Sequence, residues 1–312
     1  MSAHPRPTLP PPRAALRQLL GVPAPAKLNW FLHVLGRRAD GMHQLQTVFQ
    51  FIDWCDRLDL ERLEDGRIER DGGDGLPADD LCVCAARLLQ QHCGCRLGVR
   101  MRLRKHIPVQ AGLGGGSSDA ASVLLALNHL WGLGLRRSEL QQLGLRLGAD
   151  VPVFLFGRSA FAEGIGEHLR PLPLPRARVV VGWPGRGLST AEVFGHPSLT
   201  RDTPACTMEG FCEHLKNGVG ESGVSVAARL LRFGGNDLQA PALHLLPRLR
   251  DMQRWLERVS AGPVRMSGSG SAMFAPWPDA AAEPSPQGCD ADWKVRVVWA
   301  LEQHPLLHWV ED

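Results

Sequence analysis

The stretch from Pro108 to Ser122 reads PVQAGLGGGSSDAAS. Gly112, Gly114, Gly115 and Gly116 place four glycines in five positions, so the backbone there reaches conformations closed to other residues. Ser117, Ser118 and Asp119 follow as good helix starters. Ala120 to Trp131 then supplies helix formers, with apolar residues at Val123, Leu124, Leu127 and Leu130, and the pattern predicts a helix over 118–131. Amide groups freed at a helix start carry partial positive charge, and glycines let a phosphate come close to them. Residues 112–118 therefore read as a phosphate cradle, although glycine-rich turns before helices also serve as plain connectors. A Walker loop is excluded because Ser117, not lysine, follows Gly116. A dinucleotide fingerprint would need its glycines after the first strand of a βαβ unit.

Outward from the cradle, Leu97 to Lys105 reads as the strand that delivers the chain to it. The basic residues from Arg100 to Lys105 alternate with Val99, Met101 and Leu103, as on the wet face of a half-buried strand. A second helix is expected from Ser138 to Leu147, stopped at Gly148. Asp150 then precedes Pro152 where a short helix begins, a place that suits either an N-cap or an exposed carboxylate with chemistry to do. Upstream, Ala26 to Leu35 alternates as a strand. Lys27, Asn29, Phe31 and His33 should share one face, with Leu28, Trp30, Leu32 and Val34 on the other.

Gln44 to Ile52 and Leu58 to Glu61 also read as strands, Asp65 to Gly75 as turns, and Asp79 to Gln91 as a helix. The proline-rich segment from Pro171 to Pro175 reads as a hinge. Beyond it, Val179 to Trp183 is a strand, 199–223 an irregular stretch of loops or short helices, and Asn236 to Leu238 precedes a leucine-rich segment ending near Arg258. Val264 to Ser271 runs into a second glycine turn, SGSGS; Pro276 to Gly288 reads as a surface loop and Lys294 to Ala300 as a last strand. The pattern is α+β. His4 to Arg13 reads as an extended tail, with the fold beginning near Val22. This divides the chain into a tail (1–21), a first domain (22–175) and a second (176–312).

With 312 residues the chain can bury a substantial core, and a net charge of +3 makes no case for nucleic acid or an anionic membrane as partner. No apolar run reaches bilayer length and no signal-peptide pattern opens the chain, so a cytoplasmic location is expected. The eight cysteines include Cys82/Cys84 and Cys93/Cys95, whose C-x-C spacing is not that of a zinc knuckle. Tyrosine is absent, and nothing in the sequence explains why.

Three separated segments, PAPAKLN around Lys27, GLGGGSSDAA from Gly112, and SGSG from Ser267, resemble the three motifs of the GHMP family of small-metabolite kinases, in that family's order. The resemblance implies a first domain like the second domain of ribosomal protein S5, a ferredoxin-like second domain, and use of ATP with Mg²⁺. ATP would lie on Pro108, Val109, Gln110, Ala111, Gly112, Leu113, Gly114, Gly115, Gly116, Ser117 and Ser118, with Ser118 also the candidate metal ligand. Lys27 and Asp150 would be the catalytic pair: phosphoryl transfer needs mostly positioning and charge stabilisation, a cation and an orienting base.

The runs AKLNWFLHVLGRRADGMHQLQTVFQ and GADVPVF are similar to one branch of the family, whose acceptor is a small cytidine diphosphate-linked polyol used in isoprenoid precursor synthesis. That similarity implies His43 against the cytosine edge and Phe194 against the base face, with Asn29, Thr190, Gly268 and Ser269 as further substrate contacts. Met42 stands where that branch usually carries tyrosine. Acceptors of the homoserine or mevalonate type, and a noncatalytic nucleotide-binding module, are the alternatives. A homodimer is compatible with the sequence.

Overall fold

The computed structural model describes residues 16–73, 75–217, 225–260, 262–282, 284 and 288–312. Two long strands organise the first half: β1 (Gln18–Arg37) and β2 (His43–Leu63) pair antiparallel from Gln18↔Glu61 to Arg37↔His43. After them come β3 (Ile68–Gly72), α1 (Leu81–Cys93), β4 (Gly98–Arg104), α2 (Gly115–Leu130), α3 (Arg137–Leu145), α4 (Val151–Phe156), β5 (Ala160–Gly164) and β6 (His168–Pro171). The second half runs β7 (Ala177–Trp183), α5 (Thr190–Gly195), α6 (Met208–Asn217), α7 (Val226–Arg232), α8 (Gln239–Leu245), α9 (Leu249–Ser260), β8 (Arg265–Met266), β9 (Met273–Pro276) and β10 (Lys294–Ala300), with a closing 3-10 turn at Leu307–Trp309.

The described residues form a ten-stranded sheet with the path β3-β4-β2-β10-β7-β9-β8, and β1 and β5 also pair with β2. The two halves meet in this sheet through β10, which pairs with β7 along its length and with β2 at Ala300↔Ile52. With helices packed on the sheet, the fold is α+β, as the sequence pattern indicates.

Several boundaries differ from the sequence reading. The first strand starts at Gln18, ahead of Val22, because Gln18 and Leu19 already pair with Glu61 and Leu60; His4 to Arg13 lies outside the described residues. The two strands expected at 44–52 and 58–61 are one, since Asp53 and Trp54 bulge and Cys55, Asp56 and Arg57 stay paired in the ladder. The turn region 65–75 contains β3, which pairs in parallel with β4. Beyond Asn29 the alternation in β1 slips: a register shift between Asn29 and Leu32 breaks the period of two. Phe31 consequently joins Trp30 in a cluster with Phe161, Phe211 and Phe274, while Leu32 lines the same cavity as Lys27 and Asn29.

α2 is the central element, with every residue from Ser118 to Asn128 buried. This mostly apolar helix is covered by α1, α3, α4 and the β1–β2 ribbon. In the second half, α9 buries Met252, Trp255 and Leu256 against β7 and β9. Among the described residues, no helix is long and apolar enough to cross a membrane.

Candidate active site

The cradle differs in one respect from the reading of its sequence: α2 begins at Gly115, three residues before Ser118, and no side chain caps it. Gly114 adopts a left-handed conformation (φ 70°) at the N-cap, which lets Gly115 and Gly116 form the first helical turn, and the Ser118 amide already bonds Gly114 O at 2.8 Å. The preceding amides at the helix start have no capping side chain over them, as an anion site requires. Most of the expected nucleotide contacts line a cavity of about 1130 Å³. Leu113 and Ser118 do not: the Leu113 side chain is buried in the core, and Ser118 is fully buried with its hydroxyl unpartnered.

Lys27 projects from β1 onto the cradle. Its amide bonds Leu113 O at 2.9 Å, and its Nζ donates to Asn29 Oδ1 at 2.6 Å and lies 3.6 Å from Asp150 Oδ2. The Lys27 side chain is 3% exposed and that of Asp150 40%, so the pair joins a buried cation to a carboxylate open to the cavity. Burial lowers the Lys27 pKa, and Asp150 works against that fall. Asp150 occupies the N-cap position of α4 but makes no capping hydrogen bond, which leaves its carboxylate to Lys27 and the cavity. Asn29 is committed within the protein: Oδ1 also accepts from Ser267 Oγ at 3.5 Å, and Nδ2 donates to Thr47 Oγ1 at 2.8 Å.

The second glycine turn closes the other wall. A Cβ on Gly268 would lie 2.9 Å from Gly112 O and 3.0 Å from Lys27 Nζ, so only glycine lets the three segments meet. Asn236 Nδ2 holds this turn by donating to Met266 O and Gly268 O at 2.7 and 2.8 Å. Ser269 Oγ lies 2.9 Å from Thr190 Oγ1.

At another wall of the cavity, the His43 and Phe194 rings sit 4.9 Å apart with planes tilted by 33°, and Met42 lies half exposed beside them. Burial, then the charges of Arg201 and Arg37, lower the His43 pKa and favour its neutral form. All the residues expected to contact the acceptor line this one cavity, together with Lys27 and Asp150.

Sequence reasoning missed a third group. Lys105, just past the end of β4, turns inward, where its Nζ bonds Asp119 Oδ2 at 2.7 Å and also contacts Asp56. Arg100, Arg102 and Arg104 keep the exposed face that the alternation predicts. Asp119 lines the cavity, and its Oδ1 is buried without a partner. The spacing of these three residues in sequence carries no signal; Thr47 and Asn236 are likewise visible only in the assembled fold. Among the described residues, no group of three or more His, Cys, Asp or Glu is arranged to hold a metal. A divalent cation here would rest mainly on phosphate and water oxygens, the habit of Mg²⁺.

A helix-start anion cradle, a buried lysine against an open carboxylate and an aromatic cleft on one cavity define a small-molecule phosphotransferase. Residues 80–158 match the GHMP kinases N terminal domain, and residues 217–284 the GHMP kinases C terminal domain. The chain is 49% identical over 303 residues to the 4-diphosphocytidyl-2-C-methyl-D-erythritol kinase of Paracidovorax citrulli, covering 95% of this chain and 99% of that protein. It is 34% identical to a crystallised 4-(cytidine 5'-diphospho)-2C-methyl-D-erythritol kinase, with a TM-score of 0.71, covering 91% of this chain and 99% of the other. A homoserine kinase from Cytophaga hutchinsonii shares the fold at 16% identity, with a TM-score of 0.66 over 94% of this chain and 97% of the other. The chain belongs to the GHMP kinase family, and membership implies the use of ATP.

Proposed function

We propose that this kinase transfers the γ-phosphoryl group of ATP to the 2-hydroxyl of 4-diphosphocytidyl-2-C-methyl-D-erythritol, a step of the non-mevalonate route to isoprenoid precursors. The observation that carries the reading is the placement of Lys27 and Asp150, 3.6 Å apart, on the cavity shared by the cradle and the His43–Phe194 cleft. The homoserine and mevalonate alternatives contain no base for that cleft to hold. Similarity to the kinases named above supports the same choice. The chain is read as two units, 22–175 and 176–312, with the two family matches lying on either side of that boundary.

In this mechanism the amides at the start of α2 and the glycines before it hold the triphosphate. Asp150 orients the acceptor hydroxyl and takes its proton as the oxygen bonds the γ-phosphorus and the bond to the ADP oxygen breaks. Lys27 offsets the negative charge that builds on the transferring group, and Asn29, with both ends of its amide committed, fixes where Lys27 points. Phe194 and Met42 cover the base, and His43 reads its edge. Mg²⁺ would neutralise phosphate charge and rest mainly on phosphate and water oxygens, since the Ser118 hydroxyl expected to hold it is fully buried and off the cavity.

The test is ADP release with the cytidine diphosphate-linked polyol, homoserine and mevalonate as acceptors. Turnover with the first alone is expected, and a folded protein that turns over none of them, or prefers another, overturns the reading. In the same assay Asp150→Asn should lower kcat by about 10²–10⁴-fold while changing the KM for ATP little, because a base acts in the transition state.

A further inference from the structure

We infer that Arg201, outside both the cradle and the reacting pair, decides which pyrimidine the site accepts by fixing the tautomer of His43. The inference rests on the cytidine reading of the acceptor given above. Arg201 lies in the segment between α5 and α6, and four hydrogen bonds engage all three nitrogens of its head group. Its Nε donates to His43 Nε2 at 3.2 Å, Nη2 to Phe194 O at 2.8 Å and His196 O at 3.3 Å, and Nη1 to Leu199 O at 3.2 Å. One side chain thus holds both the backbone that carries the stacking ring and the imidazole beside it.

A guanidinium donates hydrogen bonds and never accepts them, so His43 Nε2 must present its lone pair. In the neutral ring the proton then sits on Nδ1. Burial favours that neutral form, and so do the charges of Arg201 and Arg37. Among the described residues Nδ1 has no hydrogen-bond partner, and both His43 and Arg201 line the cavity, so an N–H donor is left for a ligand. Cytosine N3 is an acceptor and completes that bond. Uracil carries a hydrogen on N3 and would set donor against donor. A buried polar group left unpaired in this way is what rejects a near-isosteric ligand. Arg201 is therefore a positioning residue for specificity, acting through His43.

The test uses the full chain with cytidine diphosphate and uridine diphosphate as probes. In the wild type, ¹⁵N chemical shifts of the His43 ring should show Nε2 unprotonated and Nδ1 protonated, and cytidine diphosphate should bind about tenfold or more tighter than uridine diphosphate. Arg201→Met should bring the ratio of the two affinities close to one while ATP still binds; Arg201→Lys, which keeps an obligate donor, should restore the preference for cytidine. A protonated Nε2 in the wild type overturns the inference even if every variant misfolds. An unchanged cytidine preference in folded Arg201→Met overturns it and leaves the cytidine reading standing. If neither diphosphate binds the wild type, the cytidine reading fails and takes this inference with it.

Discussion

Asp119 shows what a single buried residue can impose on this protein. Its carboxyl lies on the cavity wall with Lys105 on one oxygen, and burial pushes its pKa up to about 8, with Lys105 opposing the rise and Asp56 adding to it. An unfolded aspartate titrates near 4. Between those values the folded chain keeps a proton that the unfolded chain releases, so the stability tied to this group is full below about pH 4 and is lost as the pH rises through about 8. Urea midpoints measured from about pH 5 to about pH 9 should therefore fall with rising pH more steeply in the wild type than in Asp119→Asn; parallel profiles would remove Asp119 from the account. The sequence marked Asp119 only as a helix starter and Lys105 as the end of a strand, because what alters both is burial in the assembled fold and the charge of Asp56, on a strand far upstream. Lys27 and Asn29 were legible, since a period of two puts them on one face wherever the strand lies. Leu32 was not, because the slip that carries it to the cavity depends on pairing with β2.

At the scale of elements, the glycine loop was legible as a helix start, but its first turn was misplaced. Capping side chains mark a helix start in sequence, and here a left-handed glycine does that work instead. The glycines of the loop are also packing residues. A Cβ on Gly112 (φ 72°) would lie 2.0 Å from Ser267 O and 2.8 Å from Gly270 N, whereas one on Gly132 (φ 67°) would meet nothing within 4 Å. Alanine at either site pays the left-handed penalty of about 1–2 kcal/mol. Only Gly112→Ala must also part the cradle from the glycine turn of the second half. Gly132→Ala should thus lower the urea midpoint modestly and leave ATP titrations unchanged, while Gly112→Ala should lose more stability and weaken ATP binding. Equal behaviour of the two variants would mean that the approach of cradle to turn is dispensable. β3, β5 and β6 escaped the sequence reading for a related reason: each has four or five residues, too few for periodicity to outweigh nearby turn residues.

For the molecule as a whole, the sequence suggested two units in order and gave no sign that the end of the chain returns to the first. After β10 the chain runs back beside α4. His304 N bonds Gly157 O at 2.9 Å, and Leu306 and Val310 join the core around α2. Arg137, at the start of α3, ties this return down: its guanidinium donates to Leu307 O at 2.6 Å, Val310 O at 2.8 Å and Leu155 O at 2.7 Å, and it also pairs with Asp312. Leu155 lies in α4, the short helix that begins just after Asp150, so the contact that closes the fold also fixes the helix behind the proposed base. Arg137→Met keeps much of the stem but leaves three carbonyls without their donor. At about 1–3 kcal/mol for each buried group left unpaired, a loss of about 3 kcal/mol or more in urea denaturation is expected. Where the variant remains folded, kcat should fall while the KM for ATP holds, since the cradle on α2 lies apart from this clamp and Asp150 does not. A stability loss with kcat intact would confine Arg137 to holding the chain end. A stable variant with wild-type kcat would mean that neither the chain end nor α4 depends on the clamp.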